Sequence, residues 1–184
     1  MMRAFIGVGI PWEVKNKIIA VQNILREKST RGRWKYIDNF HLTLKFLGEV
    51  SDDTVDKIYE NMEANLNDIK RIDLKIKELG FFKGDGCFRV IYFKVSDCSG
   101  MLKRAYFGIE KSCCLAGIPK EKRPYTPHIT IAQDVVLPYG FDFVKEKASC
   151  LDGTDISVGR ISIIKSEQIN GKRIYTPIKT LSFK

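Results

Sequence analysis

Apolar residues recur along this chain with two different periods, and the places where the period switches mark out its elements. From Met2 to Ile10 they alternate loosely, which predicts a first strand over 2–10. After Pro11, a residue suited to the first turn of a helix, Val14, Ile18, Val21 and Leu25 fall at helical spacing. A helix is therefore expected over 12–28, with Glu13 at its positive end and Arg26 and Lys28 near its negative end. Arg31-Gly32-Arg33 reads as a turn, Trp34 to Ile37 as a short extended segment, and Asp38-Asn39 as a second turn. Phe40 to Leu47 reads as a strand stopped by Gly48. Ser51 is placed to cap a second helix whose buried face is Val55, Ile58, Met62 and Leu66. Ile72, Leu74 and Ile76 alternate with charged residues, as a strand with one wet face would. A loop is expected over 80–86 and a strand over 88–95. Gly100 opens a helix carrying Leu102, Tyr106, Ile109 and Cys113, which Gly117 ends. Further strands are predicted at 128–132, 156–164 and 173–183, the last two joined through a turn containing Asn170-Gly171, and a short helix at 141–149.

The order strand, helix, strand occurs twice. Elements at 2–10, 12–28 and 41–47 are echoed at 88–95, 100–116 and 128–132, and the interval from Phe5 to His41 (41 − 5 = 36) equals that from Tyr92 to His128 (128 − 92 = 36). This repeat predicts an α+β fold: two pseudo-symmetric lobes of antiparallel sheet with flanking helices around a central cleft. The 184 residues, 44% of them hydrophobic, suffice for such a core, and 1–184 is read as one bilobal domain.

The chain has only two histidines, and both lie on the repeated strands. His41-Leu42-Thr43-Leu44 recurs 87 positions later as His128-Ile129-Thr130-Ile131 (128 − 41 = 87). Side chains alternate along a strand, so each His and its Thr point the same way, roughly 6–7 Å apart, while the aliphatic residues face the core. A lone histidine in such a setting is usually structural. Two copies that use the entire histidine supply point to one site with two imidazoles and two hydroxyls.

The charge balance, 31 − 22 = +9, favours polyanionic partners such as nucleic acid, a reading that becomes useful only beside the histidine pair. No apolar run approaches the roughly 20 residues that span a bilayer, so no membrane partner is expected and a cytoplasmic location is. The five cysteines contain no CxxC pair and are read as reduced, mostly buried thiols. Two histidines and scattered cysteines lack the spacing of a zinc site, and no metal or other cofactor is expected.

The segments His41-Leu42-Thr43-Leu44-Lys45-Phe46-Leu47-Gly48-Glu49 and Arg123-Pro124-Tyr125-Thr126-Pro127-His128-Ile129-Thr130-Ile131-Ala132 resemble the two signature segments of the 2H phosphoesterases. Within that superfamily they are most similar to the RNA 2′,3′-cyclic phosphodiesterases, once called 2′-5′ RNA ligases. The start, Arg3 to Pro11, and the end, Gly171 to Phe183, share the likeness. The resemblance implies metal-independent opening of a terminal 2′,3′-cyclic phosphate to a 2′-phosphate, acting on RNA ends or small cyclic nucleotides, by a protein expected to be a monomer. It implies His128 as base, His41 as acid, and Thr43 and Thr130 as donors to the phosphate. The family commonly has Arg five residues after the second histidine, where this chain has Gln133. Lys45, whose parity matches the histidine face, and Arg123 are candidates to replace that charge. Phe46 is a candidate to stack on a base. Phe46 and Gln133 have the wrong parity for the histidine face, so each needs its strand to end or bend just before it. Two other functions remain open on the residues alone: 2′-5′ RNA ligation in the same site, and RNA binding without catalysis.

Overall fold

A computed structural model describes residues 1–183. Its strands are β1 (Met2–Gly9), β2 (Arg31–Trp34), β3 (His41–Val50), β4 (Ile72–Lys83), β5 (Phe88–Asp97), β6 (His128–Val136), β7 (Asp155–Val158), β8 (Arg160–Ile169) and β9 (Lys172–Ser182). The helices are α1 (Trp12–Lys28), α2 (Asp52–Asn65), α3 (Met101–Leu115) and α4 (Asp142–Ala148). All strand pairings are antiparallel, in the order β7-β4-β5-β6-β3-β1-β8-β9, with β2 added to the far end of β6. Two half-sheets meet where β3 touches β6, through a single Cα pairing of Leu42 with Ile129. The α+β class and the two-part antiparallel architecture with flanking helices are as the repeat predicts.

The hydrophobic patterning explains the layering. Leu42, Ile129 and Ile131 are wholly buried on the side covered by helices, each contributing roughly 1.5–3 kcal/mol of burial. The helices cross over between halves, since α1 packs on β6 and α3 packs on β3. Ser51 caps α2 by accepting from the Thr54 amide at 3.2 Å, and Gly117, at φ +86°, ends α3. The β8–β9 hairpin turns through Asn170 (φ 48°) and Gly171 (φ 78°), the two left-handed residues that a tight hairpin of this twist needs.

Four expectations are corrected. Arg31 to Arg33, expected as a turn, form a strand with Trp34, because β6 runs past the end of β3 and leaves an edge for β2 to pair. The loop expected at 80–86 is strand as far as Lys83: Gly80 lies under the Tyr92 ring, where a Cβ would come within 3.1 Å, and so marks a close approach inside the strand. The strand expected over 156–164 is two strands. Gly159 separates β7, which edges one half-sheet beside β4, from β8, which pairs with β1 in the other. Of the cysteines, Cys113 is buried, but Cys98, Cys114 and Cys150 are exposed. Among the described residues no helix is long and apolar enough to cross a membrane.

Candidate active site

Each motif strand contains a one-residue slip at the same point of the repeat. Ile6 faces Lys45 and Gly7 faces Thr43, which leaves Leu44 unmatched; Ile91 faces Ala132 and Tyr92 faces Thr130, which leaves Ile131 unmatched. Those two residues are 87 apart (131 − 44 = 87). A slip of this kind inverts the alternation of side chains beyond it. It accounts for the fate of three predicted residues.

Phe46 is brought onto the histidine face and stands 66% exposed in the cleft, so it is not a core residue. Gln133 is likewise turned to a half-exposed position, in register with Arg33 on β2 and Val90 on β5. Lys45 goes the other way. It is buried, its Nζ lies 2.8 Å from Glu110 Oε1 on α3, and it donates to the Pro119 carbonyl at 2.8 Å. The expectation that Lys45 puts a charge into the cleft is therefore wrong: the slip after Leu44 reversed the parity on which it rested. Arg123 does reach the cleft wall but is paired with Glu121 at 3.1 Å, an exposed contact that leaves much of its charge to solvent.

The backbone carbonyl freed at the Ile131 slip is held by α1 and by the chain after β2. The Ile131 carbonyl accepts from the Gln22 side chain on α1 at 2.7 Å and from the Lys35 amide at 3.1 Å. Gln22 is wholly buried, and its Nε2 also bonds the Lys35 carbonyl at 2.8 Å. The second slip is braced from α3 by the Glu110–Lys45 pair. Neither brace carried a sequence signal beyond a polar residue on an apolar helix face.

The two HxT motifs lie side by side and antiparallel. With Leu42 opposite Ile129, the register sets His41 across from Thr130 and Thr43 across from His128, so the four side chains share one face about a local twofold axis. Both imidazoles are oriented alike. His41 Nδ1 donates to the Asn39 carbonyl at 2.7 Å, and His128 Nδ1 donates to the Thr126 carbonyl at 2.7 Å. Each contact fixes the tautomer and leaves Nε2 for the cleft. Each ring is also wedged between aromatics from its own half: His41 by Phe5 (4.7 Å between centroids) and Tyr175 (5.1 Å), His128 by Tyr92 (5.1 Å) and Phe82 (5.8 Å). Phe5 and Tyr92 are the residues whose equal spacing from the histidines first exposed the repeat.

Burial pushes the His41 pKa down to about 4; the Asn39 carbonyl opposes this, and positive charge on Lys35, His128 and Lys15 adds to it. A cavity of about 410 Å³ opens beside His128 and Thr43, walled by Phe46, Phe82, Arg123, Tyr125 and Thr126. Tyr125 is fixed there by stacking on Tyr106 (4.3 Å, 6°) and by donating to the Thr43 carbonyl at 3.2 Å.

Two imidazoles, each with a hydroxyl neighbour and an Nε2 left free by its Nδ1 contact, thus share one face of a two-part antiparallel sheet. A model of the LigT-like phosphoesterases matches residues 8–92, which include the first motif. An RNA 2′,3′-cyclic phosphodiesterase of Methanocaldococcus jannaschii is 31% identical over 132 residues, covering 72% of this chain and 71% of that protein. One of Thermotoga maritima is 26% identical over 165 residues, covering 90% and 87%. The chain belongs to the LigT-like phosphoesterase family. Among solved structures, Escherichia coli LigT superposes with a TM-score of 0.77 at 23% identity, over 99% of this chain and 97% of that one, and the same protein has been solved with 3′-AMP. At that identity the likeness shows the fold.

Proposed function

We propose that this protein hydrolyses the terminal 2′,3′-cyclic phosphate of RNA to a 2′-phosphate, using His41 and His128 as its acid and base and no metal. The observation that carries the reading is the matched pair of Nδ1–carbonyl contacts, which leaves two Nε2 atoms in one cleft. The relatives named for this reaction support the choice of substrate.

In the reaction one imidazole takes a proton from water, and the resulting hydroxide adds to phosphorus opposite O3′. The P–O3′ bond breaks, and the second imidazole gives its proton to O3′. Thr43 and Thr130 donate to the non-bridging oxygens, where negative charge gathers. Phe46 and the aromatic cavity take the base of the terminal nucleoside, a stacking contact of roughly 1–3 kcal/mol.

The family resemblance makes His128 the base and His41 the acid. With a pKa of about 4 the imidazole is neutral at neutral pH, protonated on Nδ1 but not on Nε2, so this assignment requires the substrate to favour the imidazolium. The magnitude suffices: a phosphate oxygen about 4 Å away, at an effective dielectric of about 20, favours the imidazolium by about 4 kcal/mol, roughly three pKa units. The opposite assignment, with neutral His41 as base, needs no such shift, and the low pKa favours it. A substrate whose leaving O3′ is replaced by sulfur separates the two, because a thiolate leaves without a general acid. The histidine whose alanine variant is rescued by that substrate is the acid.

An RNA oligonucleotide ending in a cyclic phosphate, incubated with the protein in EDTA and followed by ³¹P NMR, tests the proposal. A 2′-phosphate product is expected. A 3′-phosphate product, or no turnover, would overturn it.

A further inference from the structure

Near His41, three cations are contributed by two segments distant in sequence. Arg33 and Lys35 are two apart on and just after β2, and Trp34 between them packs toward the core, so both are turned to the histidine side. Arg173 is on β9, two residues before the Tyr175 that stands edge-on to His41, so it shares that face. The loop between β2 and β3 locks β9 in place, since Asn39 Nδ2 donates to the Arg173 carbonyl at 2.7 Å.

The cations are close enough that Arg173 and Arg33 add to the burial that lowers the Lys35 pKa, and Lys35 in turn acts on His41. Arg173 lines a cavity with Glu49, Asp52 and Glu167 and donates to Gln168 Oε1 at 3.2 Å, and two more carboxylates lie near the other cations. Asp134 holds the Arg33 guanidinium (Nε–Oδ2 2.8 Å), and the Asp38 carboxylate is close enough to Lys15 to oppose the lowering of its pKa. Among the described residues none lies within ion-pair distance of Lys35 or Arg173. Part-buried positive charge with no acid partner costs stability in the free protein, and a bound anion would recover it. Beside the cluster Tyr36 presents an exposed ring with Lys172 5.7 Å from its centroid, an aromatic face next to a phosphate seat.

We infer that Lys35, Arg173 and Arg33 seat the phosphodiester joining the cyclic-phosphate nucleotide to the rest of the RNA, so that the site selects chain ends over free cyclic mononucleotides. This rests on the cyclic phosphodiesterase reading above. The terminal base then occupies the Phe46 cavity, the reacting phosphate lies between the histidines, and the 5′ neighbour crosses the cationic cluster onto Tyr36. Arg33 also stands in register beside Gln133, so the guanidinium absent from β6 is offered from the adjacent strand.

The test compares kcat/KM for the dinucleotide UpU ending in a 2′,3′-cyclic phosphate with that for uridine 2′,3′-cyclic phosphate. The ratio of the two cancels any effect on His41 itself. Wild type is expected to prefer the dinucleotide, Lys35→Gln and Arg173→Gln each to lower the ratio roughly tenfold, and Lys35→Arg to restore it. The slope of log binding against log salt for an oligonucleotide should also flatten by about 0.7 per contact removed. A ratio near one in wild type, or variants that slow both substrates equally, would overturn the inference. If wild type turns over neither substrate, the function proposal fails separately. Calorimetric binding of the same pair carrying 2′-phosphate ends then decides the inference by the same ratio.

Discussion

His41 and His128 make the same Nδ1 contact in different surroundings, and the difference has measurable consequences at the scale of single residues. Because His41 titrates near 4 in the folded protein and near 6.5 when unfolded, the unfolded chain binds more protons between those values. Stability from this group is thus complete above pH 6.5 and falls as the pH drops toward 4, by at most about 3 kcal/mol. Thermal melts from pH 7.5 to 4 should show His41→Asn losing less than wild type over that window; parallel curves would show that His41 is not held neutral. Phe46→Ala should raise KM for cyclic nucleotides by roughly five- to a hundredfold, the equivalent of one stacked base, with little effect on Tm because the ring is exposed. An unchanged KM would remove Phe46 from base recognition. The histidines and threonines were legible because an exact four-residue pattern consumed the whole histidine content. The Nδ1 contacts were not, because they are made to backbone carbonyls that no residue type announces.

At the scale of elements, the paired slips in β3 and β6 decide which predicted residues reach the site. Alternation alone put Lys45 in the cleft and kept Phe46 and Gln133 out of it, and a slip at Leu44 and at Ile131 reverses that assignment. The sequence showed the need for a bend before Phe46 and Gln133 but held nothing to locate it, since the residues at the slips are ordinary strand formers. The same limit applies at Gly159, where one predicted strand proved to be two serving different half-sheets. Helix limits were readable because Pro11, Ser51 and Gly117 act locally, whereas β2 depends on a sheet edge formed by β6, a hundred residues away. Lys45→Ala should destabilise the fold by about 3–5 kcal/mol by leaving Glu110 buried and unpaired, while Lys45→Met with Glu110→Leu should be close to neutral. Equal losses in the single and double variants, measured by urea denaturation, would show that the pair does not act as a unit.

The whole molecule is two halves that each bring one imidazole, one hydroxyl and a pair of flanking aromatics to a shared axis, with a net charge of +9 to attract the phosphate chain. Affinity for a cyclic-phosphate oligonucleotide should therefore fall steeply with added salt. Neither half holds a complete site, so removing one imidazole should cost nearly as much as removing both. The direct measurement is turnover of a cyclic-phosphate RNA end by wild type, His41→Ala, His128→Ala and the double variant. Each single variant is predicted to lose roughly 10²–10⁴-fold, with the double variant falling far short of the product of the two losses. A single variant with near wild-type turnover, or two losses that multiply fully, would contradict the claim that the pair works on one phosphorus.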